Sequence, residues 1–139
     1  MKSSELRIGN LVRINNDLLP ETRRETCSVY GVNERFDNEF PDSTGVISLR
    51  NIRNTRTYSQ FDEFIEPIPL TEEWLLKFGF KDRYDYWKKG GVKMVWSSRI
   101  VRTGERLGIR HKKCDHIVYV HQLQNLYFAL TGEELIITE

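Results

Sequence analysis

The segment from Tyr119 to Leu135, YVHQLQNLYFALTGEEL, constrains the fold of this chain more than any other stretch. Four of its apolar side chains recur at intervals of three and four residues: Val120, Leu123, Tyr127 and Leu130. This spacing places them on one face of an α-helix, as expected for a helix that packs against a core. Gly132 comes next and can adopt the left-handed conformation that commonly ends a helix. The segment therefore predicts an amphipathic helix that buries this apolar face and ends near Thr131.

The neighbouring face of the same helix carries three uncharged polar side chains. His121, Gln124 and Asn125 fall together at positions i, i+3 and i+4, and each can both donate and accept hydrogen bonds. Solvated helix faces usually carry Lys and Glu instead. Two interpretations stay open: these side chains hydrogen-bond a neighbouring strand or loop, or they form a surface that recognises a ligand or partner.

The composition is that of a folded globular protein. The chain of 139 residues has the size of one typical domain or of two very small ones, and its 39% hydrophobic and 29% charged residues are unlike those of a disordered tail. The 21 basic and 20 acidic residues give a net charge of +1. Proteins that bind long nucleic acids nonspecifically carry an excess of basic residues, so such a partner is disfavoured.

Cysteine and histidine usage gives no metal site. Cys27 and Cys114 lie far apart without CxxC spacing, and the histidines at 111, 116 and 121 are not clustered as metal ligands are. Such cysteines are typically free thiols in a reducing compartment, although one disulfide between them stays open. The N-terminus, MKSSELRIGN, lacks the apolar core of a signal peptide, and no window approaches the roughly 20 apolar residues of a membrane span. We therefore expect a cytoplasmic protein with no membrane partner.

The N-terminal half is predicted to be rich in β-strands. Three short runs have strand character: Leu11 to Ile14, Thr26 to Val32, and Val46 to Leu49. Loops containing Pro, Asn, Asp and Gly separate them and exclude a continuous helix. Several short strands joined by such loops predict a small, partly open barrel or curled sheet similar to SH3-like folds.

A proline-containing joint marks the best candidate for a boundary. Pro67 and Pro69, in EPIPLTEEW, disfavour helical dihedral angles at the residues that precede them. We expect a β-rich SH3-like subdomain at 1–66 and an α+β subdomain at 67–139, or one compact domain that contains both. The predicted fold class is α+β.

The second subdomain is predicted to begin with a helix of about two turns. Thr71 can cap its N-terminus, and Gly79 can end it after Phe78. Its apolar side, together with the residue after the glycine, comprises Trp74, Leu75, Phe78 and Phe80. This helix is expected to anchor the second half of the chain.

Antiparallel strands are expected to follow that helix. The sequence YDYWKKGGVKMVW, from 84 to 96, predicts a hairpin that turns at Gly90 and Gly91. Two more strands are predicted from Arg106 to Arg110 and from His116 to Val120. The second half is thus predicted to run helix, antiparallel strands, helix.

Three segments carry a family resemblance: ELRIGNLV near the start, PIPLTEEWLLKFGF in the middle and YVHQLQNLYFALTGEEL near the end. They resemble segments of small uncharacterised proteins of Bacteroidetes genomes and their phages, over about a third of the chain. The resemblance implies a phage or mobile-element context and gives no activity that can be assigned to particular residues. Small phage proteins of this kind include binders that disable host defences.

No pattern of residues indicates an enzyme. The pairs Glu72-Glu73 and Glu133-Glu134 are explained as helix-terminal or solubilising charges. Gly90-Gly91 lacks the spacing of a phosphate-binding loop. We therefore expect a non-enzymatic protein without a cofactor.

Aromatic and basic side chains alternate in the second half of the chain. Planar rings can stack on a base while Lys and Arg neutralise phosphates, so this combination is suited to nucleotide recognition. The candidate ligand-binding residues are these side chains together with the polar helix face: Tyr84, Tyr86, Trp87, Lys88, Lys89, Lys93, Trp96, Arg99, Arg102, His121, Gln124 and Asn125. The alternative is that the strands bury their aromatics and expose their cations, as strands commonly do.

The leading hypothesis is a binding protein that captures a small phosphorylated, nucleotide-like ligand. A local cationic pocket in a nearly neutral protein suits such a ligand, and the protein could act as a phage anti-defence sponge with its pocket at a homo-oligomer interface. A second hypothesis is a nucleic-acid-binding module that uses basic residues of the SH3-like half: Arg23, Arg24, Arg50, Arg53 and Arg56. A third is a protein-interaction or inhibitor module that docks a host factor through the C-terminal helix.

Overall fold

The computed structural model describes residues 1–18, 25–34, 45–83, 86–94 and 117–138. The chain divides into two compact units, Met1–Ile68 and Pro69–Glu139. The first unit is built on a five-stranded sheet, and the second combines helices with a three-stranded sheet. Both sheets are antiparallel, so the predicted α+β class is confirmed.

The strands of the first unit are β1 (Leu11–Ile14), β2 (Thr26–Glu34), β3 (Gly45–Asn51), β4 (Thr57–Phe61) and β5 (Ile65–Pro67). The predictions for the first three strands are confirmed, whereas β4 and β5 were not predicted. The sheet order is β4-β3-β2-β1-β5. No pairing closes this sheet into a barrel within the ranges that the structure describes.

Alternating burial explains why these segments form a sheet with one packed face. On β3, Gly45, Ile47 and Leu49 are buried while the residues between them are less so, which is the period of two expected for a strand with one face on a core. The core comprises Val12, Ile14, Cys27, Val29, Ile47, Leu49 and Ile65. The register shifts between Val29 and Gly31, an irregularity of the kind that bends a strand and increases its twist.

The first helix of the second unit, α1 (Glu72–Lys77), has the predicted ends. The Thr71 hydroxyl accepts a hydrogen bond from the backbone N–H of Trp74 at 3.4 Å. Gly79 has φ +86°, and the N–H of Phe80 donates to the carbonyl of Leu75 at 3.0 Å. The predicted cap, stop and apolar side of this helix are thus confirmed, because Trp74, Leu75, Phe78 and Phe80 are all buried.

A three-stranded sheet follows, comprising β6 (Lys81–Asp82), β7 (Trp87–Lys89) and β8 (Val92–Met94) in that order. Lys89 pairs with Val92 across Gly90 and Gly91, so the predicted hairpin is confirmed over its described part, 86–94, together with its turn. The predicted strand from Arg106 to Arg110 lies outside the described residues.

The C-terminal helix, α2 (Val120–Thr131), ends where the sequence predicts. Gly132 has φ +73°, and its N–H donates to the carbonyl of Phe128 at 2.8 Å. At the other end, the Gln122 side chain accepts hydrogen bonds from the backbone N–H groups of Val118 and Tyr119 at 2.9 and 3.1 Å. The predicted strand from His116 to Val120 is wrong over its described part, since Val120 begins the helix and Tyr119 forms only an isolated bridge with Pro69.

One member of the predicted apolar face of α2 is not in the core. Val120, Leu123 and Tyr127 are buried, whereas Leu130 is 44% exposed. The chain reverses at Gly132, and Leu135 enters the core with only 1% exposure. Leu135 is thus a core residue that the helical spacing did not indicate. Within the described ranges, no helix combines the length and apolar character needed to cross a membrane.

Candidate anion-binding face

Three lysines form a row across the small sheet of the second unit. The register pairs Lys81 of β6 with Lys88 of β7, and Lys88 with Lys93 of β8. Directly paired residues project from the same face of a sheet, with Cβ atoms roughly 5 Å apart. The three side chains therefore lie side by side on one face.

The opposite face of this sheet is the buried one. Trp87 pairs with Met94 in the adjacent row, and the two side chains are 3% and 0% exposed. Because successive residues of a strand point to opposite faces, the lysine row points away from that apolar contact. Lys81 is exposed, and Lys88 and Lys93 are partly exposed.

An aromatic ring and a fourth cation extend the lysine face. Tyr86 lies two residues before Lys88 and so projects from the same side of the strand. The Lys93 ammonium lies 5.4 Å from the centre of the Tyr86 ring, within cation–π distance. The N–H of Arg83 donates to the carbonyl of Tyr86 at 2.9 Å, which continues the β6–β7 register by one pair and places the exposed Arg83 opposite Tyr86.

We call the surface formed by Lys81, Arg83, Tyr86, Lys88 and Lys93 the cationic face. Like charges directly opposite one another destabilise a sheet, so the lysine row carries an electrostatic cost that a bound anion would relieve. Ammonium and guanidinium groups donate charge-assisted hydrogen bonds to phosphate oxygens. The arrangement is chemically suited to a phosphorylated ligand with a planar group that can stack on Tyr86.

Lys89, also predicted to bind ligand, lies on the other side of this sheet and has structural contacts. Its ammonium donates to the backbone carbonyl of Phe78 and lies 5.7 Å from the centre of the Tyr127 ring. This carbonyl lies at the C-terminal end of α1, where the helix dipole favours a nearby cation. Burial lowers the pKa of Lys89, and the charge of Glu133 opposes this effect.

The polar face of α2 is mostly buried. His121 and Gln124 are 3% and 1% exposed, and Asn125 is partly buried. The Gln124 side-chain amide donates to the carbonyl of Leu135 at 3.4 Å, and the His121 ring stacks on Tyr119 with centroids 5.9 Å apart. Tyr127, on the same helix, is the ring that Lys89 approaches, which places this contact on the sheet face opposite the lysine row.

The structure therefore separates the predicted site residues of the small sheet into two groups. Tyr86, Lys88 and Lys93 share the cationic face, whereas Trp87 and Lys89 project from the opposite face. Several predicted residues lie outside the described ranges: Tyr84, Trp96, Arg99 and Arg102, together with Arg23 and Arg24 of the alternative site.

Sequence reasoning missed Lys81 and Arg83 as members of the cationic face. They lie on a strand of only two residues and its extension, which begins two residues after the helix-ending Gly79. A register assumption could have found them, because a hairpin between β6 and β7 sets Lys81 opposite Lys88.

The first unit presents a different arrangement of cations at the turn between β3 and β4. The Arg50 guanidinium lies 4.9 Å from the centre of the Tyr30 ring, and Arg53 and Arg56 are exposed. The buried Asn51 side chain holds this turn by accepting from the backbone N–H groups of Thr55 and Arg56 at 2.8 and 3.0 Å.

The Asn51 amide also donates to the Glu25 carboxylate at 2.8 Å. The Tyr58 hydroxyl donates to the other Glu25 oxygen at 2.9 Å. Burial and the Glu25 carboxylate raise the pKa of Tyr58, and the nearby charge of Arg56 opposes them. The polar side chains of Asn51 and Tyr58 are thus hydrogen-bonded beneath the turn, whereas the arginines lie on the surface.

Reactive groups in the described residues are few. Cys27 is a free, fully buried thiol, and burial together with the Glu25 charge raises its pKa from 9.0 to about 11. Such a thiol is a poor nucleophile at neutral pH. Across the described ranges, no three His, Cys, Asp or Glu side chains are grouped to hold a metal ion. Cys114 and the histidines at 111 and 116 lie outside those ranges.

Comparison with known proteins gives no relative from which a function could be transferred. No protein-family model, no curated protein and no solved structure matches this chain.

Proposed function

We propose that this protein binds a small phosphorylated, nucleotide-like ligand at the cationic face and acts by binding, without catalysis. The observation that carries the proposal is the direct cross-strand register of Lys81, Lys88 and Lys93 beside Tyr86. The lysines would donate hydrogen bonds to phosphate oxygens, and the Tyr86 ring would stack on the base. Trp87, Lys89 and the polar face of α2, which comprises His121, Gln124 and Asn125, are not part of the proposed site.

Charge supports a small ligand over a polymer. The cations of the proposed site are concentrated on one small sheet, while the whole chain has a net charge of only +1. Long nucleic acids reward a broad basic surface, because each neutralised phosphate adds to affinity. A compact phosphorylated molecule needs only the local cluster.

The resemblance to proteins of Bacteroidetes genomes and their phages suggests a biological setting for this binding. In that setting the protein would act in the cytoplasm as a sponge that sequesters a nucleotide signal of host defence. A homo-oligomer that joins two cationic faces would complete the pocket.

Calorimetry against a panel of linear and cyclic nucleotides tests the proposed function. We expect saturable heat from at least one nucleotide, a matching rise in melting temperature, and loss of both in Lys88→Gln. Lys2→Gln, which removes an exposed lysine of the other unit, is the matched control and should bind as the wild type does. Absence of heat and of thermal shift across the panel would exclude the proposed function.

A second candidate is nucleic-acid binding by the first unit. The order β4-β3-β2-β1-β5, with the 3-10 turn Asp62–Phe64 directly before β5, supports an SH3-like assignment. The specific observation that favours binding is a group of three exposed arginines at the end of β3 and in the turn that follows it, which we call the arginine turn: Arg50, Arg53 and Arg56. The Arg50 guanidinium lies over the exposed ring of Tyr30.

Retention on single-stranded DNA and RNA distinguishes the two candidates. Binding at the arginine turn should weaken steeply with added salt and should fall in Arg53→Gln while Lys88→Gln leaves it unchanged. Retention that is absent or insensitive to salt counts against the nucleic-acid candidate.

A further inference from the structure

The geometry points to a linear chain of three phosphates as the preferred ligand group, lying along the lysine row with its nucleoside at the end of the cationic face that carries Tyr86 and Arg83. This inference rests on the proposed function and specifies the ligand class of the same site. It adds to the site two residues that the sequence did not indicate, Lys81 and Arg83.

The length of the lysine row favours a phosphate chain over a single phosphate. Adjacent strands lie about 4.8 Å apart, so the stems of Lys81 and Lys93 are separated by roughly 10 Å with Lys88 between them. A single phosphate holds all its oxygens around one phosphorus atom and can engage two neighbouring ammonium groups. A phosphate chain presents oxygens along a line, so each lysine can find a separate group.

The charge of the lysine row also favours a phosphate chain. Each of the three ammonium groups repels its neighbours, and a monophosphate bound at one end of the row leaves the far lysine uncompensated. A triphosphate spreads its negative charge along the row and offsets the repulsion at every position. Affinity should therefore rise with each added phosphate.

The position of Arg83 suits a contact with the nucleoside. It lies opposite Tyr86 and is displaced along β6 from Lys81 by two residues, so it is beside the ring and away from the centre of the lysine row. A planar guanidinium stacks on aromatic faces and donates in a fixed fork. Arg83 should thus contact the nucleoside, together with Tyr86, and contribute little to an inorganic phosphate chain.

Two ligand series test this inference by calorimetry on the full chain without divalent cations. One series is phosphate, pyrophosphate and inorganic triphosphate, and the other is AMP, ADP and ATP. We expect affinity to rise by about five-fold for each added phosphate in both series, as charge-assisted contacts accumulate. Lys81→Gln should remove most of the gain from pyrophosphate to inorganic triphosphate, because it deletes one of the three lysines of the row, and should leave the binding of single phosphate nearly unchanged.

Arg83→Gln separates the two ends of the face. It should lower ATP affinity about five-fold and leave inorganic triphosphate affinity unchanged, by loss of one charge-assisted or stacked contact. Circular dichroism confirms that each variant is folded, and Lys81→Arg should restore most of the binding lost in Lys81→Gln. Lys2→Gln again serves as the exposed-lysine control.

The outcomes separate the inference from the proposed function. Equal affinity for AMP, ADP and ATP, or binding of cyclic nucleotides in preference to ATP, overturns the linear-phosphate inference and leaves nucleotide binding intact. If none of these compounds binds and the wider nucleotide panel is also silent, both are wrong. If Lys2→Gln weakens triphosphate binding as much as Lys81→Gln does, the attraction is nonspecific and the inference is overturned.

Discussion

Replacing Lys88 by glutamine should stabilise the ligand-free protein, although it removes a residue of the proposed site. Lys88 is the centre of the row and has a like charge on each side, at Lys81 and Lys93. Two unit charges about 6 Å apart in a water-like dielectric repel by about 0.7 kcal/mol. Two such neighbours give an upper value of about 1.4 kcal/mol, which flexible stems reduce by letting the ammonium groups move apart.

We therefore expect Lys88→Gln to raise the free energy of unfolding by about 0.5 to 1 kcal/mol at low ionic strength, in keeping with cross-strand pair energies. Lys81→Gln removes a charge with only one neighbour in the row and should give about half of that gain. Both gains should nearly vanish in 1 M salt, where the screening length falls to about 3 Å.

Urea denaturation at low and high salt, followed by circular dichroism and tryptophan fluorescence, measures these differences. Lys2→Gln should change the free energy of unfolding little at either salt concentration. A Lys88→Gln variant that is destabilised at low salt, or a gain that persists unchanged in 1 M salt, would refute the electrostatic reasoning on which the cationic face depends.

Three other predictions test local features of the fold. Gly132→Ala should lower the free energy of unfolding by about 1 kcal/mol because φ is +73° there. Gly91→Ala, also in open space but outside the left-handed region, should be nearly neutral. Asn51→Ala should lower the free energy of unfolding, measured by urea denaturation, by about 2 to 4 kcal/mol. The substitution leaves the backbone N–H groups of Thr55 and Arg56 without their acceptor and removes a donor to Glu25. In a Cys114→Ser background, iodoacetamide at pH 8 should alkylate Cys27 at least about 100-fold more slowly in the native than in the urea-unfolded protein, from the pKa difference alone.

Each of these has a contradicting result. Equal destabilisation by the two glycine substitutions would mean that the left-handed conformation is not the cause. A nearly neutral Asn51→Ala would show that the turn does not depend on its side-chain amide. Comparable alkylation of Cys27 in native and unfolded protein would show that this thiol is accessible and ionises normally.

Local chemistry explains why several elements could be predicted from the sequence. The ends of α1 and α2 depend on a capping hydroxyl and on glycines with positive φ, signals that lie within a few residues of the structures they determine. The hairpin at Gly90 and Gly91 is equally local. None of these predictions needed knowledge of a distant partner.

Strands that depend on distant pairing could not be predicted in the same way. β5 has only three residues and ends in a proline, and it forms a strand because β1, some fifty residues earlier in the chain, pairs with it. β4 reads TYSQF, a largely polar segment that pairs with β3. Leu135 is a related case, since it is buried although it lies beyond the end of α2 and outside the helical spacing.

The candidate site shows the same distinction between sequence adjacency and spatial adjacency. Lys88 and Lys89 are neighbours in the sequence, but one lies on the cationic face and the other reaches the carbonyl of Phe78 on the opposite side. Lys81 is seven residues from Lys88 and yet directly beside it. The sequence-based prediction grouped these side chains by type and did not divide them between the two faces, although alternation along a strand sets Lys88 and Lys89 on opposite faces. The position of Lys81 beside Lys88 depends on the strand register, which is a property of the folded chain.

The most direct test of the cationic face is a titration of the 15N-labelled protein with ATP, followed by two-dimensional NMR. We expect the largest amide shifts on β6, β7 and β8, around Lys81, Lys88 and Lys93, and we expect them to disappear in Lys88→Gln. Amides of the arginine turn, near Arg53, should not move. Shifts confined to that turn or to α2, or no shifts at all, would contradict the assignment of ligand binding to this face.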